Sequence, residues 1–281
     1  MNAVRNELLN QDVDVSQVRL CRWLEVPRSS VYYHPRERSP RRLDQAMVSA
    51  VRKVIDAFPT FGIRRVWAYL RFRLKQLVNR KKIARIMRIK GWTVNKRPQG
   101  GRPRVKASKS VTSRPDQRWA TDLALIFCGA RDGWCTLVPV LDCCTRQVLG
   151  WELSHTARAK TAERALEQAL IGRFGWTHGA PQGLIIRHDN GLVFGSKLYR
   201  RIARDYRLHQ EFITPYTPQQ NGLVERFIRS IKEECVWQHS FESIDGARAS
   251  IAKWIEWYNA DRPHQALGYK TPDERHAALA A

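Results

Sequence analysis

The chain is 281 residues long, 43% apolar and 10% aromatic, with a formal net charge of +23. That length and apolar content exclude wholesale disorder and allow two or three domains, while the charge points to a polyanionic partner, DNA or RNA. A ribosomal or membrane-surface protein is the other class that reaches such a charge. The first residues lack the apolar region of a signal peptide and no apolar run approaches a membrane span, so a soluble intracellular (cytoplasmic) protein is expected, with no membrane partner. The charge is unevenly spread. Residues 1–118 carry 29 Lys and Arg against 8 Asp and Glu, a net +21, whereas residues 119–281 carry 20 against 18, a net +2. The six cysteines contain no Cys-x-x-Cys pair, which predicts reduced thiols in small core sites rather than a zinc ribbon or a disulfide framework.

In chain order, residues 16–33 predict a helix, a Val26-Pro27 turn and a short second helix capped by Ser29 or Ser30, half of a helix-turn-helix. A DNA contact and a plain packing element fit these residues equally. Pro35 to Arg42 reads as a linker. Three helices are then predicted between Leu43 and Trp92. Met47, Val51, Val54, Ile55 and Phe58 mark the first; Ile63, Val66, Trp67, Leu70 and Leu74 the second; Ile83, Ile86 and Met87 the third, with Asn79 as its cap. Their outer faces are cationic, and Arg64, Arg65, Lys81, Lys82 and Arg85 are expected among the phosphate contacts. Trp67 falls on the apolar stripe and is expected in the core. Residues 95–117 are rich in Pro, Gly and basic residues without an apolar period and predict a linker.

Beyond that linker the pattern changes. Residues 118–127, 134–141 and 147–154 predict three antiparallel strands, followed by a helix from Thr161, a strand at 183–189, a helix at 196–206 and a strand at 209–214. Two helices close the pattern, one beginning near Asn221 and one over 244–258. This order predicts an α/β fold, a mixed sheet with helices on its faces. The boundaries expected are 1–42 for the partial helix-turn-helix and linker, 43–94 for a small basic helical DNA-binding domain, 95–117 for the basic linker, 118–262 for the α/β core and 263–281 for a C-terminal tail.

Three carboxylates sit where a metal site would need them. Asp122 lies in an apolar strand, where its desolvation calls for a partner or a metal. Asp189 ends a strand just before an Asn-Gly turn. Glu225 shares a helix face with Arg229 and Lys232, while Val224, Phe227, Ile228 and Ile231 form the apolar stripe of the same helix. Singly, each has an ordinary reading: a strand residue, a turn residue and a surface glutamate paired with Arg229. Together they offer hard oxygen ligands suited to Mg²⁺ or Mn²⁺. Asp142 reads as a turn residue, His188 as a group that orients the site, and His264 as an anchor for the tail.

Thirty-five residues separate Asp189 from Glu225, and Lys232 follows seven later. This resembles the DD(35)E signature with its downstream basic residue, found in retroviral integrases and in transposases of the insertion sequence 3 family, which together form the DDE transposase and integrase superfamily. Trp119-Ala-Thr-Asp122, His188-Asp-Asn-Gly191, Thr217-Pro-Gln-Gln-Asn-Gly222 and the segment from Tyr258-Asn-Ala-Asp-Arg-Pro-His to Thr271-Pro272 match as well. Pro59-Thr-Phe-Gly-Ile-Arg-Arg-Val66 resembles the Tyr-Gly-Tyr-Arg-Arg segment of those transposases, with Phe61 and Ile63 in place of the tyrosines.

The resemblance implies an RNase H-like integrase catalytic core and a DDE transposase, a polynucleotidyl transferase that cleaves and transfers DNA strands at insertion-sequence ends. It implies two Mg²⁺ (or Mn²⁺) ions about 4 Å apart, bridged by Asp122 and held singly by Asp189 and Glu225, with Lys232 and Arg229 at the DNA. The zinc module that precedes the core in retroviral integrases is absent, since the first 118 residues hold one His, His34, and one Cys, Cys21. The chain instead resembles the second-frame product of the insertion sequence, OrfB, whose partner OrfA supplies a full helix-turn-helix. A bacterial protein active on double-stranded DNA, an OrfA-type partner or fusion, and a homo-oligomer on DNA are the partners implied. A non-catalytic DNA-binding protein or repressor keeping the fold, and an RNase H-like nuclease, are the alternatives.

Overall fold

In a computed structural model of the protein, residues 2–33, 42–94, 112–175, 180–215 and 217–280 are described. The chain divides into two units, the first ending at Asp44. The first unit holds α1 (Asn2–Asn10), α2 (Gln17–Trp23) and α3 (Arg28–Val31). Ser16 caps α2 by accepting from the Arg19 N–H. The predicted cap of α3 is corrected: Pro27 precedes its first residue, and Ser29 and Ser30 lie inside the helix. A proline with fixed φ and no N–H to satisfy starts a helix readily, so this one begins before either serine. The expected linker at 35–42 lies almost wholly outside the described residues.

The second unit begins with the three helices that the apolar stripes predict: α4 (Gln45–Ala57), α5 (Ile63–Ala68) and α6 (Arg80–Ile89). Val51, Val54, Val66, Leu70, Ile83, Ile86 and Met87 are all buried between them. Leu74 is not; α5 runs on as a π-helical stretch over Tyr69–Arg73, and this wider turn rotates Leu74 off the stripe and leaves it exposed. Asn79 caps α6, its side chain accepting from the Lys81 N–H at 2.8 Å. Trp67 packs edge-on against Phe72 and Tyr269 and donates its indole N–H to the Val78 carbonyl at 2.9 Å. The basic linker at 95–117 falls mostly outside the described residues.

The core is a six-stranded sheet of β1 (Arg118–Thr121), β2 (Ala124–Phe127), β3 (Trp134–Asp142), β4 (Val148–Ser154), β5 (Ile185–His188) and β6 (His209–Phe212). β3 pairs antiparallel with β4 on one side and with β1 and β2 on the other; β1 pairs parallel with β5, and β5 with β6. Taking β1 and β2 as one interrupted strand, the spatial order is β4-β3-β1/β2-β5-β6, the RNase H-like arrangement of an antiparallel meander extended by two parallel strands.

Helices α7 (Ala159–Phe174) and α8 (Lys197–Asp205) cover one face, and α9 (Gly222–Glu234) and α10 (Ile244–Ala260) the other. Period-two alternation sorts the strand residues between them. Trp119, Val138, Val140 and Ile186 pack with Ala165, Ala169 and Tyr199; Ala120, Leu137, Leu141 and Leu153 pack with Phe227, Ile251 and Tyr258. Close approach of α7 depends on Gly150 in β4, where a Cβ would lie 2.4 Å from the Ala165 carbonyl oxygen. α11 (Pro272–Ala280) closes the chain. All six cysteines are free and buried, in the small core sites expected.

The single strand expected over 118–127 is two strands with a break at Asp122 and Leu123. Both halves keep one register along β3, with Thr121 opposite Val140 and Ala124 opposite Leu137. Carried through the gap, that register sets Asp122 opposite Pro139. The Cys143 N–H donates to the Arg118 carbonyl, and every second residue of β3 from there, Leu141 and then residue 139, turns its N–H toward β1. Pro139 has none to give. The ladder therefore opens at Asp122, and the Leu123 N–H turns to the Asp122 carboxylate, Oδ1 at 2.8 Å.

Candidate active site

Each predicted carboxylate is placed by a different element. Asp122 stands in the break between β1 and β2, Asp189 follows the last residue of β5, and Glu225 lies in the first turn of α9. Because β1 and β5 are parallel neighbours, with Ala120 opposite Arg187, the two aspartates leave the same edge of the sheet. α9 is held against that edge from below by Val224, Phe227 and Ile231, each 2% exposed or less. Burying side chains of this size contributes roughly 1.5–3 kcal/mol each, enough to fix the helix that carries Glu225.

The carboxylates feel one another. Burial pushes the Asp122 carboxyl up to about 6; Asp189 and Glu225 add to that rise, and the Leu123 N–H and Lys232 oppose it. Glu225 is open to solvent along α9, and the desolvation that remains raises its carboxyl. Asp189 accepts from the Gly191 N–H at 2.9 Å through Oδ1. A Cβ on residue 191 would lie 2.9 Å from that same oxygen, so the glycine of the Asn-Gly turn leaves the carboxylate its place.

Among the described residues no three His, Cys, Asp or Glu side chains already form a metal cage. Asp122 and Asp189 each accept a local backbone N–H on one oxygen, from Leu123 and Gly191, and each keeps a second oxygen. The donor set nevertheless suits a hard divalent cation: three carboxylates, the most buried of them raised in proton affinity first by its burial and further by the other two. A cation relieves that repulsion more fully than a proton does.

Sequence reasoning missed Asn221. It is buried at the start of α9 and its Nδ2 donates to the Thr121 carbonyl at 3.2 Å, tying the residue before Asp122 to the helix of Glu225. Asn221 Oδ1 and Thr121 Oγ1 are both buried without a partner among the described residues. Arg187 was missed too. Buried in β5, it bridges Glu211 of β6 through two hydrogen bonds of 2.9 Å and donates to the Gln220 carbonyl at 2.8 Å, just before α9. The signals were present, an Asn-Gly at the start of a helix and an arginine in an apolar strand, but neither spacing shows which distant backbone group the side chain meets.

The remaining predicted residues sort clearly. Asp142 is a turn residue, accepting from the N–H groups of Asp116, Cys144 and Thr145 and from the Thr145 hydroxyl. His188 is buried against Phe194, and its desolvation lowers its pKa, which makes it neutral. With the Gln210 amide donating to Nε2, its Nδ1–H donates to the Asp189 carbonyl at 2.8 Å, so it fixes the backbone beside the site. His264 accepts from Arg262 at the base of the C-terminal segment. Tyr258 is buried, with its hydroxyl pushed up to about 12, and Tyr216 lies outside the described residues.

Lys232 is half-buried and close enough to Asp122 to lower its pKa, whereas Arg229 pairs with Glu233 at 2.8 Å. Arg64 is exposed and reaches Gln265. Lys81 is exposed on α6; Lys82, also exposed, and half-buried Arg85 lie on the same helix. Arg65 is placed differently from the expected outer face: its guanidinium pairs with Glu234, which Arg262 holds bidentately at 2.7 and 2.8 Å. This triad joins the three-helix region to α9. Phe58 stacks on Trp257 beside it, and Arg73 pairs with Asp261 and Glu274, so the expected tail is also a clasp on that region.

The fold and this edge define a class, an enzyme of the polynucleotidyl transferase kind with an RNase H-like core. Comparison with known families agrees: residues 112–218 and 206–272 match integrase core domains, and residues 42–99 match an HTH-like domain. The two integrase core matches together span residues 112–272, and the similarity to insertion-element proteins agrees with the motifs. It is 29% identical over 246 residues to Transposase InsD for insertion element IS2A/D/F/H/I/K of Escherichia coli, covering 84% of this chain and 80% of that one. It is also 29% identical over 252 residues to the Insertion element IS2A uncharacterized 48.2 kDa protein of Escherichia coli, covering 86% of this chain but only 58% of that protein's length. Among solved structures, it is similar to the HTLV-2 integrase catalytic core domain (TM-score 0.45, 20% identity, 58% of this chain and 98% of that one). A simian T-cell lymphotropic virus intasome chain is similar over 80% of this chain and 74% of its own (TM-score 0.49, 16% identity).

Proposed function

We propose that the chain cleaves and transfers DNA strands at the ends of an insertion element, using divalent metal held by Asp122, Asp189 and Glu225. The observation that supports this is geometric: Asp122 and Asp189 follow the adjacent parallel strands β1 and β5, and Glu225, in the first turn of α9, is close enough to add with Asp189 to the rise that burial gives the Asp122 carboxyl. In this reading Asp122 is the shared ligand and the other two carboxylates flank it. Bound there, a pair of Mg²⁺ or Mn²⁺ ions would supply Lewis acidity at the phosphate and lower the pKa of the attacking water or 3′-hydroxyl.

The chain's own groups do the rest. The Gly191 and Leu123 N–H groups orient the aspartates, and Lys232 offsets negative charge that a DNA phosphate brings. The exposed side of α6, with Arg80, Lys81 and Arg88, takes up phosphates along the duplex, while its buried side keeps the helix in place. Arg64 joins this set; Arg65 is left to Glu234. The similarity to a protein of 48.2 kDa, of which this chain spans 58%, suits action with an OrfA-type partner or as part of a fusion. Two ends must be joined, which favours a homo-oligomer on DNA.

The test is to incubate the chain, alone and with such a partner, with labelled element-end duplex and Mg²⁺. Metal-dependent nicked and joined products that vanish in Asp189→Asn are expected. DNA binding without any product would favour the repressor reading, and loss of the RNA strand of a hybrid would favour the nuclease.

A further inference from the structure

Next to the face of α9 that carries Glu225 lies another, formed by Leu223, Arg226, Phe227 and Ser230 at i, i+3, i+4 and i+7, and it lines a cavity of about 660 Å³. The start of α5, the β3–β4 turn and the Arg262 segment line it too. Five arginines reach it: Arg64, Arg65, Arg146, Arg226 and Arg262. Three are engaged, Arg65 and Arg262 by Glu234 and Arg64 by Gln265. Of the two acidic residues in its lining, Asp142 is taken up by its turn and Glu233 by Arg229.

Arg146 and Arg226 remain. Among the described residues neither side chain has a carboxylate partner, and Arg146 sits half-buried with guanidinium groups for neighbours. Burial, Arg262 and Arg226 push its guanidinium below the usual value. Like charges gathered in a partly buried pocket raise the free energy of the empty protein, and an anion entering it recovers that energy.

We propose that this cavity binds a backbone phosphate of a DNA strand, gripped by Arg146 and Arg226. The inference rests on the reading of the chain as a DNA-acting enzyme and adds a second contact to it. Guanidinium forks match phosphate oxygens. Arg226 follows Glu225 directly in α9, so a strand held here passes within one helix face of the carboxylates, and the far lining belongs to the basic HTH-like domain. A strand running from one to the other crosses the cavity.

The test measures affinity for element-end duplex against salt for the wild type and for an Arg146→Gln, Arg226→Gln double variant, with melting of the free proteins followed in parallel. A slope of log affinity against log salt that falls by about 1, with an unchanged or higher melting temperature, is expected. An unchanged slope overturns the proposal, as does a variant that only melts earlier. Should the double variant not fold, Arg226→Gln alone, at an exposed position, reads the same slope. Inorganic phosphate is the second arm: if it raises the melting temperature of the wild type but not of the variant while the DNA slope is the same in both, the site takes free phosphate and the strand contact is refuted. A wild type that binds but never joins DNA defeats the proposed reaction and leaves the slope readable. An unchanged slope in a wild type that joins DNA defeats this inference alone.

Discussion

At the scale of single residues, the site depends on small groups that leave room for charged ones. Gly191 is the clearest. A methyl there would sit 2.9 Å from Asp189 Oδ1, so Gly191→Ala is expected to displace the carboxylate and lower strand joining by tenfold or more, about 1.4 kcal/mol of barrier. Its effect on the melting temperature should be small, because residue 191 is a partly exposed turn position; a large loss of stability with unimpaired joining per folded molecule would contradict this. Glu234 has the opposite character. It sits between Arg65 and Arg262, which hold its carboxyl below the usual carboxylate range despite burial. Glu234→Gln strands two guanidinium groups and is expected to destabilise by roughly 3–5 kcal/mol in urea unfolding. Since the folded carboxyl is the lowered one, its contribution is complete above the unfolded value of about 4.3 and is lost as pH falls through the folded value. The difference between wild type and variant should therefore shrink only below about pH 4, and a difference that shrinks near neutrality would refute this account.

Elements decide which of these residues meet. The sequence patterns located α9, its stripe and Glu225 because a helix face has a period that can be read without knowing its partner. Asp122 and Asp189 were legible as strand and strand-end residues for the same reason. The break at Asp122 was not read, since it arises from Pro139 on a neighbouring strand and needs the register to be seen. Asn221 was hidden likewise: its amide reaches Thr121, one hundred residues away. Removing it with Asn221→Ala is expected to cost about 1–3 kcal/mol of stability and to lower joining beyond what the loss of folded protein explains, because α9 loses its tie to β1. Activity that tracks the folded fraction alone would make Asn221 a packing residue. Gly150 tests the opposite face. Gly150→Ala drives a methyl into the α7 backbone at 2.4 Å and should destabilise by 1–3 kcal/mol or more while leaving the carboxylate edge intact; urea unfolding reads it.

Over the whole molecule, charge and catalysis are segregated in sequence and rejoined in space. Composition alone put a net +21 in residues 1–118, and the structure shows where part of it goes. Arg65 and Arg73 bind the HTH-like region to α9 and the C-terminal segment, and Arg80, Lys81 and Arg88 face outward. Which arginine would serve which purpose could not be read from spacing, because a guanidinium that holds two domains together and one that meets a phosphate look alike on a helix. The family motifs carried further than the physics of any one segment, since they span the strand, the turn and the helix that share one edge.

The central claim is that three carboxylates on that edge hold the metal that strand transfer needs, and replacing an oxygen ligand by sulfur tests it directly. Asp189→Cys exchanges a hard donor for a soft one that Mg²⁺ accepts poorly and Mn²⁺ better. Joining of labelled element-end DNA by this variant is expected to be lost in Mg²⁺ and partly regained in Mn²⁺, while the wild type works in both. Joining by Asp189→Cys in Mg²⁺ at the wild-type rate would contradict the account.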